Sequence, residues 1–370
     1  MKNRNAFSRL ILPMIVVVIG LAAANACSFG GNLSDERLAR AEASPHYEDN
    51  AFFNVERQAP LGVTWSFLKA QFFGDEVRVP PSAVPVINMD PTSLATPPAP
   101  GLRATWLGHA GVLIEIDGHR VMVDPMFSER ASPVSFAGPK RFHAPPIALD
   151  LLTGIDAVMI SHDHYDHLDR AVVEHLAPLG TKFYVPLGVG AHLAKWGVPE
   201  NQIFDLEWGQ SEKLGALTIR STPSRHYSGR GLSDYKATLW SSWAVAGPTH
   251  RVFYSGDTGY SKLFKNTGDV HGPFDLTIIK VGAYGPGANW LDIHMTPEDA
   301  IRVHQDVRGK RMLPVHWATF NMGHHDWDEP IKRALAAAGE RNVELITPRV
   351  GEVFIAGMPF KSVPWWEAVK

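Results

Sequence analysis

The sequence predicts an α/β sandwich: two β-sheets packed face to face, with helices on the outside. Three observations carry this. From Arg103 onward the chain becomes a succession of short apolar runs separated by Gly, Pro and Asp. The first runs follow one another closely, as hairpin strands do, and helical segments come between the later ones. The chain has 370 residues, 45% hydrophobic and 20% charged. That suffices for a sizeable core and excludes disorder or a fibrous repeat.

Strands are expected over 104–107, 112–116 and 121–123, with Gly108, Gly111, Asp117 and Gly118 between them. Further apolar runs place strands at 157–160, 183–185, 217–221, 239–246, 252–255, 276–281, 312–315, 345–347 and 352–355. Helices are expected over 169–177, 188–196, 297–305 and 329–338. The third has the clearest start: Thr296 as cap, Pro297 in the first turn, then Glu298 and Asp299.

The N-terminus reads as an address. Lys2, Arg4 and Arg9 precede an uncharged run from Leu10 to Ala24, centred on Ile15-Val16-Val17-Val18-Ile19. This is the layout of a secretory signal peptide over 1–26. Ala26 before Cys27 fits a lipoprotein cut, with Cys27 lipidated. It also fits an ordinary cut after Ala26. An uncleaved anchor is the third reading, since a span needs about 20 residues. Lipidation is the preferred expectation, because a free terminal thiol is a liability in an oxidising compartment. The expected location is the cell envelope, as a lipoprotein anchored in the periplasm or on the outer membrane.

Residues 27–102 then form a tether and an N-terminal extension. The stretch 28–32 is small and polar, and Ser34 can open a short helix. Trp65, Leu68 and Phe72 recur at helical spacing beside Phe67 and Phe73. Such a stretch packs onto the main domain or, alternatively, presents a surface to lipid and acyl chains. A proline-punctuated linker between Pro80 and Pro100 leads into the domain 103–370.

Two counts bound the chemistry. Net charge is −3, so no basic field points to nucleic acid. The single cysteine excludes an internal disulfide and a thiolate-rich zinc site. Seventeen histidines remain, and any metal must be held by nitrogen and oxygen.

The densest stretch is His162-Asp163-His164-Tyr165-Asp166-His167, just after the apolar run 157–160. In an extended segment His162 and His164 project to one side and can ligate one metal. A turn then presents Asp166 and His167 to a second metal about 3.5–4 Å away, a spacing suited to hydrolysis. His226, Asp257 and His316 each follow a strand-like run, and glycines flank Asp257. Together they offer two metals three protein ligands each and a shared carboxylate, leaving room for a bridging water.

That stretch resembles the H-x-H-x-D-H signature of the metallo-β-lactamase superfamily, which implies the αββα sandwich and a dinuclear, usually zinc, site. Thr105-Trp106-Leu107-Gly108-His109-Ala110, Asp124-Pro125-Met126-Phe127-Ser128, Gly138-Pro139-Lys140-Arg141-Phe142, Ser255-Gly256-Asp257-Thr258-Gly259-Tyr260, Gly282-Ala283-Tyr284 and His316-Trp317-Ala318-Thr319-Phe320 narrow the resemblance. They are similar to the branch of N-acylphosphatidylethanolamine-hydrolysing phospholipase D. The similarity runs in order from about Arg103 to about Ala338.

The resemblance implies His162, His164 and His226 on one metal and Asp166, His167 and His316 on the other, bridged by Asp257. It implies a further active-site histidine at His294, and substrate contacts at Tyr165 and Tyr284. Asp163, His109 and Asp124 are expected to support the ligands from behind. Two Zn²⁺ are the expected cofactors, with other divalent transition metals suiting the same donors. A membrane surface and a homodimer are compatible with the resemblance.

The expected reaction is phosphodiester hydrolysis by a metal-bridging hydroxide, aided by Asp166 and Asp257. His294 serves either as proton donor to the leaving group or as substrate ligand. The segments Tyr227-Ser228-Gly229-Arg230 and 284–292 differ from the family pattern where substrate should lie. A lactone, a β-lactam or another ester or amide is therefore the alternative substrate class. A non-catalytic envelope protein is the third reading.

Overall fold

A computed structural model describes residues 29–56, 58–59, 65–285 and 288–370. The expected signal peptide and Cys27 lie outside the described residues. A short hairpin pairs β1 (Tyr47–Glu48) with β2 (Ala51–Phe52). The first large sheet contains β3 (Leu102–Gly108), β4 (Gly111–Ile116), β5 (His119–Val123), β6 (Ala157–Met159), β7 (Lys182–Pro186) and β8 (Ile203–Leu206). The second contains β9 (Ser211–Leu214), β10 (Leu217–Thr222), β11 (Ser242–Ala246), β12 (Arg251–Tyr254), β13 (Phe274–Lys280), β14 (Gly309–Val315) and β15 (Glu344–Leu345). β16 (Val353–Ile355) returns to the first sheet beside β3.

Both sheets are mixed in the same way. β3, β4 and β5 pair antiparallel, and β5 through β8 pair parallel. β9 through β12 pair antiparallel, and β12 through β15 pair parallel. Tight turns suffice for the hairpins, whereas parallel neighbours need a crossover. Helices Arg170–Leu176, Gly190–Lys195, Leu263–His271, Pro297–Asp306 and Glu329–Arg341 supply five of the six crossovers, and a loop with a short turn at Leu149–Leu151 joins β5 to β6. This is the expected α/β sandwich, two mixed sheets flanked by helices.

Alternation along the strands builds two apolar layers. Val121 and Val123 of β5 face the second sheet, where Ile219, Trp243, Tyr254 and Ile278 meet them. Met122, between them, faces outward with Val158 onto Val172, Leu176 and Leu193. A third cluster joins Ala41 and Phe52 of the N-terminal extension to Leu187, Trp208, Leu239 and Trp240.

The hairpin β1–β2 and strand β8 were not expected from the sequence, and three further elements differ from it for a clear physical reason. Helix Leu263–His271 has a run of poor helix formers, Asn266-Thr267-Gly268-Asp269, that hides it. Gly268 is needed there, because a Cβ would lie 2.1 Å from the Asp306 carbonyl of the neighbouring helix. β9 is an edge strand whose exposed Glu212 and Lys213 mask its pattern. The run 239–246 pairs only from Ser242, because Leu239 N donates to Leu187 O and Ser241 N to Ser161 O. Trp65 and Phe73 bound the helix Trp65–Phe73 and are 78% and 75% exposed, so these two side chains do not join the core.

His304 sits on the buried face of Pro297–Asp306, with Nδ1 2.7 Å from Thr277 Oγ1. Burial pushes it down from 6.5 to about 4. The folded pKa lies below the unfolded one, so its contribution is present above pH 6.5 and is lost as pH falls toward 4. In full this is on the order of 3 kcal/mol. Equilibrium unfolding at about pH 7 and about pH 5 should show a steeper loss for the wild type than for His304→Gln. Parallel losses would overturn the assignment.

Candidate metal centre

The sandwich gathers polar loops at one edge, where strand ends deliver them. Asp124 follows β5, His162 follows β6, Asp257 follows β12 and His316 follows β14. Lys280 is the last residue of β13, and His109 follows β3. His316 and His109 both have positive φ, 67° and 51°, and His316 N donates to His109 O at 2.8 Å. Non-glycine residues hold such conformations only where surrounding structure compels them. Gly256 has φ 57°, and a Cβ there would lie 2.5 Å from Ser161 Cβ. Only glycine lets the Asp257 loop close onto the His162 loop.

Two groups of ligand-type atoms result. His162 Nε2 is 2.8 Å from His164 Nδ1, which is 3.4 Å from His226 Nε2. Asp166 Oδ2 is 3.2 Å from His167 Nε2, 3.4 Å from His316 Nε2 and 2.8 Å from His109 Nε2. Asp257 lies between the groups. Its Oδ1 is 3.2 Å from His316 Nε2, and its Oδ2 is 3.5 Å from His167 Nε2 and from His294 Nδ1. The carboxylate also groups with His226 and His294, their ligand-type atoms within 4.8 Å of one another.

The donor set fits cations. His167 Nε2, His316 Nε2 and Asp257 Oδ1 are buried, face one another and make no hydrogen bond. Each such buried unpaired atom costs about 1–3 kcal/mol unless something binds it. Protonation states suit the same role. Burial holds His162 and His226 well below the usual histidine range. Burial alone would raise Asp257, but His316, His167 and Lys280 hold it well below the carboxylate range. The cluster is a binuclear metal-binding site.

Outer contacts aim the rings. Ile293 O accepts from His226 Nδ1 at 3.0 Å, and Asp124 Oδ2 accepts from His167 Nδ1 at 2.6 Å, leaving each Nε2 toward the cluster. Asp124 also accepts from Ser161 N at 2.7 Å and Tyr254 OH at 2.5 Å. Asp163 points elsewhere: it accepts from Gly229 N at 2.7 Å and Thr238 Oγ1 at 2.9 Å, and meets His192 Nε2 at 3.2 Å.

The two tyrosines have different settings. Tyr165 lines a cleft of about 270 Å³ with Met126, Arg130 and Arg170, and its hydroxyl donates to Arg230 O at 2.9 Å. The Tyr284 hydroxyl is engaged by Glu329 Oε1 at 2.7 Å, and its ring stacks on His325.

Sequence reasoning missed Lys280, read only as part of an apolar strand. It is 1% exposed, its Nζ lies 2.7 Å from His294 Nδ1, and burial lowers its pKa to about 8. A single lysine within Ile278-Ile279-Lys280-Val281 was the available signal. Arg230 was read only within the segment Tyr227-Ser228-Gly229-Arg230, expected to border substrate. It donates to Asp163 O at 2.7 Å and to Leu168 O at 3.1 Å, pinning the histidine-rich loop from both sides.

Fold and site together define a metal-dependent hydrolase with a binuclear centre. A family model described as a β-lactamase superfamily domain matches residues 119–317. The chain belongs to this superfamily. It is 44% identical over 338 residues to an uncharacterized protein of Mycobacterium tuberculosis (strain ATCC 25618 / H37Rv), covering 88% of each chain. It is 38% identical over 271 residues to the N-acyl-phosphatidylethanolamine-hydrolyzing phospholipase D 1 of Caenorhabditis elegans, covering 69% of this chain and 76% of the relative. Among solved structures, the metallo hydrolase Igni18 of Ignicoccus hospitalis superposes with a TM-score of 0.52 at 22% identity, over 70% of this chain and 99% of the other. An isothiocyanate hydrolase from Delia radicum gut bacteria superposes with a TM-score of 0.54 at 19% identity, over 69% and 99%. Both likenesses concern the fold.

Proposed function

We propose that this hydrolase is a zinc-dependent phosphodiesterase of phospholipase D type acting on N-acylphosphatidylethanolamine-like lipids. Water adds to phosphorus, the bond to the N-acylethanolamine oxygen breaks, and phosphatidic acid remains. The observation that carries the reading is His294 beside Asp257, held by Lys280. An alkoxide leaving group needs a proton, and an anionic diester suits a site with an additional buried cation. The activity for which the Caenorhabditis elegans relative is named supports the same substrate class.

Two metal ions, when bound, supply an activated water and positive charge for the transition state. His162, His164 and His226 would hold one, Asp166, His167 and His316 the other, with Asp257 shared. His294 relays the proton: Nε2–H goes to the departing oxygen as Lys280 Nζ gives a proton to Nδ1, so the ring stays a neutral imidazole. Because Lys280 Nζ donates to Nδ1, the imidazole carries its own hydrogen on Nε2. Tyr165 and the cleft beside it, where Arg130 stands and Arg170 is paired with Glu174 at 2.6 Å, suit the polar headgroup region. Export and lipidation of Cys27 would bring the enzyme to its lipid, and exposed Trp65 and Phe73 suit contact with the bilayer surface.

Release of N-acylethanolamine from the phospholipid in mixed micelles, with bis-p-nitrophenyl phosphate and a lactone as controls, tests the reading. Turnover of the lactone alone by fully metallated enzyme would overturn it in favour of an ester hydrolase. The membrane part has its own test. Trp65→Ala with Phe73→Ala should lower activity on anionic vesicles about tenfold, from the apolar area withdrawn, and leave a soluble diester unaffected. Equal losses on both substrates would remove the membrane role.

A further inference from the structure

We propose that the N-terminal segment 29–56 is a positioning part of the metal centre, with Asn54 as the residue that sets His226. This goes beyond the substrate reading and depends only on the binuclear site. His226 sits in the long connection between Thr222, the end of β10, and Ser242, the start of β11. A connection of that length carries no ladder to fix a ligand, so something outside it must.

Asn54 does this with its whole amide. Its Oδ1 accepts from His226 N at 3.1 Å, and its Nδ2 donates to His226 O at 2.8 Å. Oδ1 also accepts from Trp240 Nε1 at 2.9 Å, and Nδ2 donates to Gln58 Oε1 at 3.0 Å. All four bonding positions of the amide are used, and the side chain is buried. The His226 backbone is thus gripped from both sides, much as a neighbouring strand would grip it. Phe52, two residues earlier, anchors the segment in the cluster with Leu239 and Trp240.

A second contact reaches the same centre. Gly31 N donates to His192 Nδ1 at 3.0 Å, so His192 turns Nε2–H toward Asp163, the residue between His162 and His164. Gly30 and Gly31 permit this approach. A Cβ at Gly30, whose φ is 81°, would lie 2.1 Å from His192 Nδ1, and one at Gly31 would lie 2.2 Å from Ala191 O. The segment therefore holds His226 directly and reaches, through His192, Asp163 in the loop that carries His162 and His164. The ligands Asp166, His167 and His316 are supported instead by His109 and Asp124.

The test is zinc retention by the full chain against a graded chelator, counted as ions per chain, with thermal unfolding of the same samples. Asn54→Ala should weaken one zinc about 10–100-fold and leave the other as in the wild type. Asn54→Asp keeps both acceptor contacts but cannot donate to His226 O, so it should fall between. Gly31→Ala should weaken the same zinc through the separate His192 path, and it reports even where Asn54→Ala folds poorly. Wild-type retention of both ions in Asn54→Ala and Gly31→Ala would overturn the proposal. So would equal weakening of both ions in step with a lowered Tm, which marks general destabilisation.

Discussion

Asp257→Asn should lower turnover by on the order of 10³-fold while the chain stays folded. The amide fills the same volume, so the turn at Gly256 and the packing on Ser161 persist. What changes is charge at the one position that faces both ligand groups. Asp257 lies within 3.5 Å of His167, His316 and His294. A neutral amide cannot serve as an anionic bridge between two cations, and its NH₂ would face ligand nitrogens. Metal content should therefore fall below two ions per chain along with kcat. Metal analysis of the purified variant, with thermal unfolding as control, checks this. Turnover near the wild-type value with metal content below one ion would remove Asp257 from the reaction.

The legible part of this site is the part that lies close in sequence. His162, His164, Asp166 and His167 share one loop, and their spacing alone suggested two ligand groups. Asp257 and His316 were legible because each follows an apolar strand run and has a simple neighbourhood, Gly256 or Pro314-Val315. Lys280 and Asn54 were not, for opposite reasons. Lys280 is hidden inside a strand whose apolar pattern absorbs one polar residue without a visible break. Asn54 lies in a stretch with no periodicity, and its value comes from contacts 172 positions away, which local pattern cannot encode. The fold divides the same way. Central strands such as β3 and β13, buried along nearly their whole length, announce themselves as apolar runs. Edge strand β9 and helix Leu263–His271 owe their form to neighbours, the first to β10 and the second to the Pro297–Asp306 helix. The extension read as a tether is bound to the domain by Gly31, Arg37 and Asn54.

Lys280→Met should lower kcat by about 10²-fold and leave KM nearly unchanged, because the loss falls on proton delivery rather than on binding. Methionine preserves the buried stem and removes only the ammonium. The His294 ring then loses the contact that assigns its hydrogen to Nε2, and either tautomer becomes accessible. His294→Gln removes the donor itself and should cost about as much or more, within the 10²–10⁴-fold span of such groups. The pair acts as one unit, so the double variant should be no slower than His294→Gln alone. That non-additivity separates positioning from electrostatic help given directly to substrate. A lysine that stabilised the anion by itself would slow the reaction further in the absence of His294, and the two losses would multiply. Multiplying losses, or a rise in KM with kcat preserved, would move Lys280 from the proton path to substrate binding. A leaving group that needs no proton gives the complementary check. With p-nitrophenolate departing, both single variants should recover most of their activity, and an undiminished loss there would refute a donor role for His294 and the supporting role of Lys280 with it.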